Sequence, residues 1–291
     1  MTLTRRHFLA TAASATLVPA GPARAISTRA DSAYRWRGSG PMFGGFSAIE
    51  VSANRRRAVV ISDRGFGLNI RLRRNSAGFV QGVETLDSFV LRDTEGQPLS
   101  GPNADAEGIA RMPDGTLLIA LKTRRSRIWA YSDVNGPARA LPALREWRDL
   151  PGNVGLESLA VDASGAIFTT PERATNGSFP LYRFDTSWST VGQIPQRGEF
   201  VPVALDFGPD GALYLLERRF RLAFFATRIS RLRPGAWNRP ETLVQTGLAD
   251  LDNHEGLSVT RDSAGQLWAT TISDDNQRRL QRTEIAEFRL G

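Results

Sequence analysis

The sequence predicts an all-β fold, a β-propeller of four-stranded blades. Three observations predict it: one strand–turn–strand cassette recurs along the chain, its turns carry hairpin chemistry, and helical periodicity is weak throughout. The cassette reads Glu107-Gly-Ile-Ala-Arg-Met-Pro-Asp-Gly-Thr-Leu-Leu-Ile-Ala in its clearest copy. Further copies begin at Glu157, Val203 and Glu255, and a divergent one runs from Phe46 through Ile61-Ser-Asp63. The turns Pro113-Asp-Gly115 and Pro209-Asp-Gly211 suit tight hairpins, because glycine accepts the positive φ such turns demand.

Two more β-like runs follow each hairpin, such as Arg127-Ile-Trp-Ala-Tyr131, Leu181-Tyr-Arg-Phe184 and Thr227-Arg-Ile-Ser-Arg-Leu232. Four strands in a unit of about 40–50 residues is the propeller signature. Five blades result, or six if a degenerate blade occupies the long interval between residues 46 and 107. The last cassette has room for a third strand in Leu280 to Leu290 and little more. Ala33 to Arg37 is therefore expected to supply its outer strand, closing the ring with both ends of the chain.

The first 25 residues read differently. Arg5-Arg6-His7-Phe8-Leu9, a mild apolar run to Ala20 and Ala23-Arg24-Ala25 have the order of a twin-arginine export signal. This divides the chain into a signal over 1–25 and a propeller over 26–291. It implies a periplasmic or secreted protein and a passing partnership with the twin-arginine translocation machinery. No later stretch is long and apolar enough for a membrane helix, so no stable membrane anchor is expected.

Composition removes several chemistries. There are no cysteines, which excludes disulfides, thiol nucleophiles and cysteine metal sites. The net charge of +7 falls to +4 once Arg5, Arg6 and Arg24 leave with the signal. The remaining arginines are scattered, with no aromatic-basic pattern for nucleic acid. His254 is the only histidine of the mature chain, and G-x-S-x-G, H-E-x-x-H and P-loop patterns are absent.

Acidic residues recur at two places in the cassette. Glu107, Glu157 and Glu255 open first strands; Asp63, Glu172, Glu217 and Asp274 follow second strands, where the remaining blade has Leu121-Lys122. In an antiparallel pair the start of one strand lies beside the end of the next. Both sets are thus expected at one mouth of the central channel. Crowded carboxylates need a cation, a proton or arginine partners, and calcium takes such oxygen ligands in loose geometry.

The expected assignment follows. Glu107, Glu157, Glu255 and Asp274 hold calcium, and Arg64, Arg173 and Arg218 grip an anionic or ester substrate. Asp63, Glu217 and His254 are the candidate catalytic groups. The plainer alternative makes the Glu-Arg neighbours structural ion bridges and the propeller a non-catalytic ligand-binding or scaffold module.

The cassettes resemble the phytase-like family described as "esterase-like activity of phytase". The resemblance rests on Gly44-Gly-Phe-Ser-Ala-Ile49, Ile61-Ser-Asp63-Arg64, Asp105-Ala-Glu107-Gly108, Gly155-Leu-Glu157-Ser158, Leu215-Leu-Glu217-Arg218, Asn253-His-Glu255-Gly256 and Ser273-Asp-Asp-Asn276. It spans roughly residues 40–290 and implies an exported propeller that hydrolyses phosphate or carboxylic esters; a lactonase is a separate third alternative, since other metal-centred propellers act on lactones. The R-H-G-x-R-x-P motif of histidine acid phosphatases is absent. The chain departs from a fully acidic ring at Ser158, where a glycine would stand, and at Val203, where an acid would stand.

Overall fold

The computed structural model describes residues 26–122, 126–144, 147, 155–278 and 280–291. The expected signal, 1–25, lies outside the described residues. After β1 (Ser32–Arg35), the first blade comprises β2 (Phe46–Val51), β3 (Arg57–Ser62), β4 (Phe66–Arg74) and β5 (Val80–Val90). The second comprises β6 (Ala106–Arg111), β7 (Leu117–Leu121), β8 (Arg127–Tyr131) and β9 (Arg139–Ala140). The third comprises β10 (Ala160–Val161), β11 (Ile167–Thr169), β12 (Ser178–Phe184) and β13 (Trp188–Pro195). The fourth comprises β14 (Val201–Phe207), β15 (Leu213–Arg221), β16 (Phe224–Leu232) and β17 (Glu241–Gln245). The fifth comprises β18 (His254–Arg261), β19 (Leu267–Ser273) and β20 (Glu284–Leu290), with β1 at its outer edge.

The blade number is five, and the long first interval holds long strands rather than a sixth blade. Ring closure is as expected: β1 pairs antiparallel with β20, from Ser32 opposite Glu287 to Arg35 opposite Glu284. Because every strand is apolar on the faces that meet the neighbouring blades, the core is five clusters, each shared by two blades. Ile49, Val60 and Ile272 fill the wedge between the first and last blades, and Leu205, Leu215 and Phe168 that between the third and fourth.

One irregularity repeats and positions the site. The pairing of the inner strand slips by one residue at Ser47, Glu107, Val203 and Glu255. An extra residue in one strand is a β-bulge, and a bulge re-aims the side chain it carries. The bulge thus falls on the first residue of the cassettes at Glu107, Val203 and Glu255, and on the second, Ser47, of the divergent copy. In the third blade Glu157 precedes the short β10 and lies beside the Leu156–Pro171 bridge. The glycine after the bulged glutamate has its own reason. A Cβ on Gly256 would stand 2.9 Å from the backbone of Ala48 and Ile49, and one on Gly108 would stand 3.0 Å from the Glu157 carbonyl. Inner strands approach one another too closely around the axis for a larger residue there.

Candidate functional site: an acidic mouth with its own cations

The bulged glutamates of the inner strands meet the residues that follow the second strands at one end of the axis. Lys122, which follows β7, is the first organiser. Its ammonium is bonded to Glu157 and lies 3.5 Å from Glu172 and 3.8 Å from Glu107. Its backbone N–H donates to the Asp105 carbonyl at 2.7 Å. Arg218, within β15, is the second. Its guanidinium is bonded to Glu255, donates to Asn253 Oδ1 at 2.7 Å and reaches Glu172 Oε1 at 3.2 Å. Asn253 in turn donates to Glu255 at 2.8 Å. Glu172 therefore bridges the two cations, and one arc of ion pairs runs across four blades.

Burial opposes charge on Lys122 and Arg218, yet the surrounding carboxylates raise the pKa of both, so both are cationic. Glu172 is held below the usual glutamate range despite its burial, by a hydrogen bond from Glu157 and by Lys122 and Arg218. The other shifted carboxyls of the mouth, Glu107 and Glu157 of the arc included, behave in the opposite way. Burial pushes Asp63 up to about 6, and Asp105 and Glu255 push it further. Burial, then Glu255 and Asp63, take Asp274 to about 8, against an N–H bond from Asn276. Asp105 and Glu107 are also raised, chiefly by burial. Carboxyls outnumber cations here, and the surplus is accommodated by protons.

Below this ring the axis is nearly closed. The cavity bounded by Ser47, Glu107, Glu157 and Gly256 measures about 10 Å³, room for about one water. The acidic end is thus a blind mouth. The opposite end is an opening of about 660 Å³ lined by Glu50, Arg111, Asp206 and Thr260 among others. There burial raises Glu50 to about 7, and burial and the nearby Glu50 raise Asp206. Arg111 lies 3.9 Å from Glu50, and the Val259 N–H donates to Asp206 at 2.6 Å.

The structure brings together six of the expected site residues: Asp63, Glu107, Glu157, Arg218, Glu255 and Asp274. It places four elsewhere. Glu217 is fully buried within its blade, bonded to Arg228, to Arg197 at 2.6 Å and to Ser230 at 2.9 Å. His254, separated from Glu255 by the bulge, is buried within the last blade between Glu284 at 3.2 Å and Thr271 at 2.8 Å. Arg64 donates to the carbonyls of Phe43 at 2.7 Å and Pro41 at 3.0 Å, pinning that loop. Arg173 is exposed beside Glu172. Lys122, Glu172, Asp105 and Asn253 belong to the mouth without having been assigned a role in it. One signal was available: the only lysine of the chain stands where the other blades carry an acid.

The residues do not fit a resident calcium ion as they stand. Lys122 occupies the space between Glu107, Glu157 and Glu172, and Arg218 engages Glu255. Among the described residues, no group of three or more His, Asp or Glu side chains is arranged to hold a metal. Three of the four expected ligands, Glu107, Glu157 and Glu255, thus have protein cations as partners.

The chain is similar to solved structures of low sequence identity. The PQQ-bound aldose sugar dehydrogenase from Streptomyces coelicolor is 12% identical, with a TM-score of 0.49 over 92% of this chain and 100% of that one. The luciferin-regenerating enzyme is 10% identical, with a TM-score of 0.47 over 86% of this chain and 80% of that one. No curated protein matches the sequence. Residues 41–277 match the family model Phytase-like, "Esterase-like activity of phytase". With most of its length matched, the chain belongs to the Phytase-like family.

Proposed function

We propose that the chain is an ester hydrolase whose reacting centre is the acidic mouth. The observation that carries this reading is a pair of neighbouring carboxyls set at different protonation levels. Asp63, near 6, is ionised at neutral pH, while Asp274, near 8, keeps its proton. Two carboxyls whose environments push them apart are suited to act as base and acid. Asp63 would take a proton from the attacking water, and Asp274 would protonate the leaving alkoxide. Lys122 and Arg218 are fixed positive charges beside the place where the carbonyl or phosphoryl oxygen becomes negative. The family's description as esterase-like supports the same reaction class.

The surplus of carboxyls bears on substrate. A dianionic phosphate monoester would be repelled, so carboxylic esters, lactones and phosphodiesters come first. In this reading the mature chain, from Ile26, works outside the cytoplasm after twin-arginine export. It needs no metal, since the positive charges are its own.

The test is turnover of p-nitrophenyl acetate, a γ-lactone and bis-p-nitrophenyl phosphate as a function of pH. The expected profile of kcat/KM is a bell with limbs near 6 and 8. Asp63→Asn should lower kcat about 10²- to 10⁴-fold and remove the acid limb. Full activity in both Asp63→Asn and Asp274→Asn, or saturable binding with no turnover of any ester, would leave a ligand-binding propeller instead.

A further inference from the structure

One feature beside the mouth is unused by this chemistry. Strands β15 and β16 continue past the rest of their blade. The inner strand stops pairing at Val201 opposite Arg218, and the outer strand pairs only up to Arg228 opposite Gln245. Beyond these, Arg219–Ala226, Phe220–Phe225 and Arg221–Phe224 pair with each other, and the Ala249 N–H donates to the Phe225 carbonyl at 2.9 Å. Three rungs project by roughly 10 Å as a two-stranded ribbon.

The ribbon's faces follow from strand alternation. Residues two apart share a face, and directly opposite residues share a face. Phe220 and Phe225 therefore lie on the face of Arg218, the residue that reaches into the acidic mouth. Their rings are 4.9 Å apart, and the Arg218 guanidinium lies 5.8 Å from the Phe225 ring. Arg219 and Arg221 occupy the other face, and Arg219 there stacks on Phe200 at 5.3 Å. Phe220 is 62% exposed and Leu222, at the tip, 78%.

The tip is strained. Leu222 and Ala223 both have φ in the left-handed region, at 53° and 67°. A two-residue turn of this kind favours Asn-Gly, and a Cβ disfavours it. Exposed aromatic surface on a strained, projecting ribbon needs an occupant to explain it.

We propose that the Phe220–Phe225 face is the wall of the mouth that receives an apolar or aryl body of the substrate, the ester group lying against Arg218. This rests on the hydrolase reading and narrows its substrate to esters with an apolar acyl or aryl portion. An apolar face continuous with the charged centre binds the unreactive part of such a molecule while the charges meet its polar end.

Two measurements separate this wall from the reaction itself. The first is equilibrium binding of N-phenylhexanamide, an uncleavable amide with the apolar body, against N-methylacetamide, which lacks it. The larger amide should bind at least about tenfold more tightly, and Phe220→Ser should remove most of that advantage. Phe220 is exposed, so the variant should keep its melting temperature. The second is the ratio of kcat/KM for ethyl hexanoate to that for ethyl acetate, which has no such body; the same variant should lower that ratio. Equal binding of both amides, or an advantage untouched by Phe220→Ser, overturns the wall. Vesicle binding or dimerisation that changes in Phe220→Ser while amide binding does not would assign the ribbon to a lipid surface or a second copy, and overturns it too. Preferential amide binding without turnover of any ester would leave the wall standing and refute the hydrolase.

Discussion

The two ends of the propeller axis both carry buried carboxyls, yet they are built differently. The open end has about 660 Å³ of space, two raised carboxyls, and Arg111 near one of them. The acidic end is blind behind about 10 Å³ of axial space, and its carboxyls are threaded by Lys122 and Arg218. Space alone would select the open end. Charge favours the other as the proposed centre, because two cations, Lys122 and Arg218, bond its carboxyls directly, whereas Arg111 stays 3.9 Å from Glu50. The lesson is local: bulges aim Glu107 and Glu255 at one end, and regular alternation leaves Glu50 and Asp206 at the other.

The largest effect should come from removing a resident cation. Lys122→Met leaves Glu107, Glu157 and Glu172 without their shared partner. Breaking a buried ion pair from one side costs about 3–5 kcal/mol, so the melting temperature should fall by many degrees. Lys122→Met/Glu172→Gln should recover part of this loss, since Glu172 is the carboxylate that the arc holds ionised. Thermal melting of the two variants checks both. If the single variant is as stable as the parent, the ion-pair arc is not what holds the mouth.

Next is the pH dependence of stability. Asp63 and Asp274 have folded-state pKa values raised above the usual aspartate range. The folded state therefore holds more protons than the unfolded one between about pH 4 and 8, and stability falls as pH rises through that window. Glu172, whose pKa is lowered, contributes in the opposite sense at the acid end of the window. Denaturant titrations at pH 5 and 8 should show the loss, and Asp274→Asn should flatten it. A rise in stability from pH 5 to 8 would contradict the burial of these carboxyls.

The smallest effect is expected at the open end. Glu50→Gln and Asp206→Asn should leave ester turnover within about twofold and slightly raise stability above pH 7, because each removes a carboxyl that burial disfavours as an anion. A large loss of turnover in either would move the reacting centre to that end.

The sequence made the blade cassette and the ring closure legible because hairpin turns and alternating apolar runs are local signals. The convergence of Glu107, Glu157, Glu255 and Asp274 was legible for the same reason, through the cassette position they share. Partner choice was not. Glu217 and Glu172 look alike in sequence, each following a second strand and preceding an arginine. Arg197, Arg228 and Ser230 draw Glu217 into its own blade, whereas Glu172 turns to Lys122 and Arg218. Adjacency to Glu255 did not reveal that the His254 ring is buried against Glu284 and Thr271. The contact of Lys122 with Glu157 and Glu172 depends on a side-chain reach that spacing does not encode.

The most direct measurement is calcium titration of the mature protein, with thermal melting in calcium and in EDTA, for the parent and for Lys122→Met. The parent should melt at the same temperature in both, because its carboxyls have their own cations. The variant, with Glu107, Glu157 and Glu172 freed, should gain a calcium-dependent rise. A rise of several degrees in the parent at low calcium, absent from Lys122→Met, would contradict the account and restore calcium as the cation of the mouth.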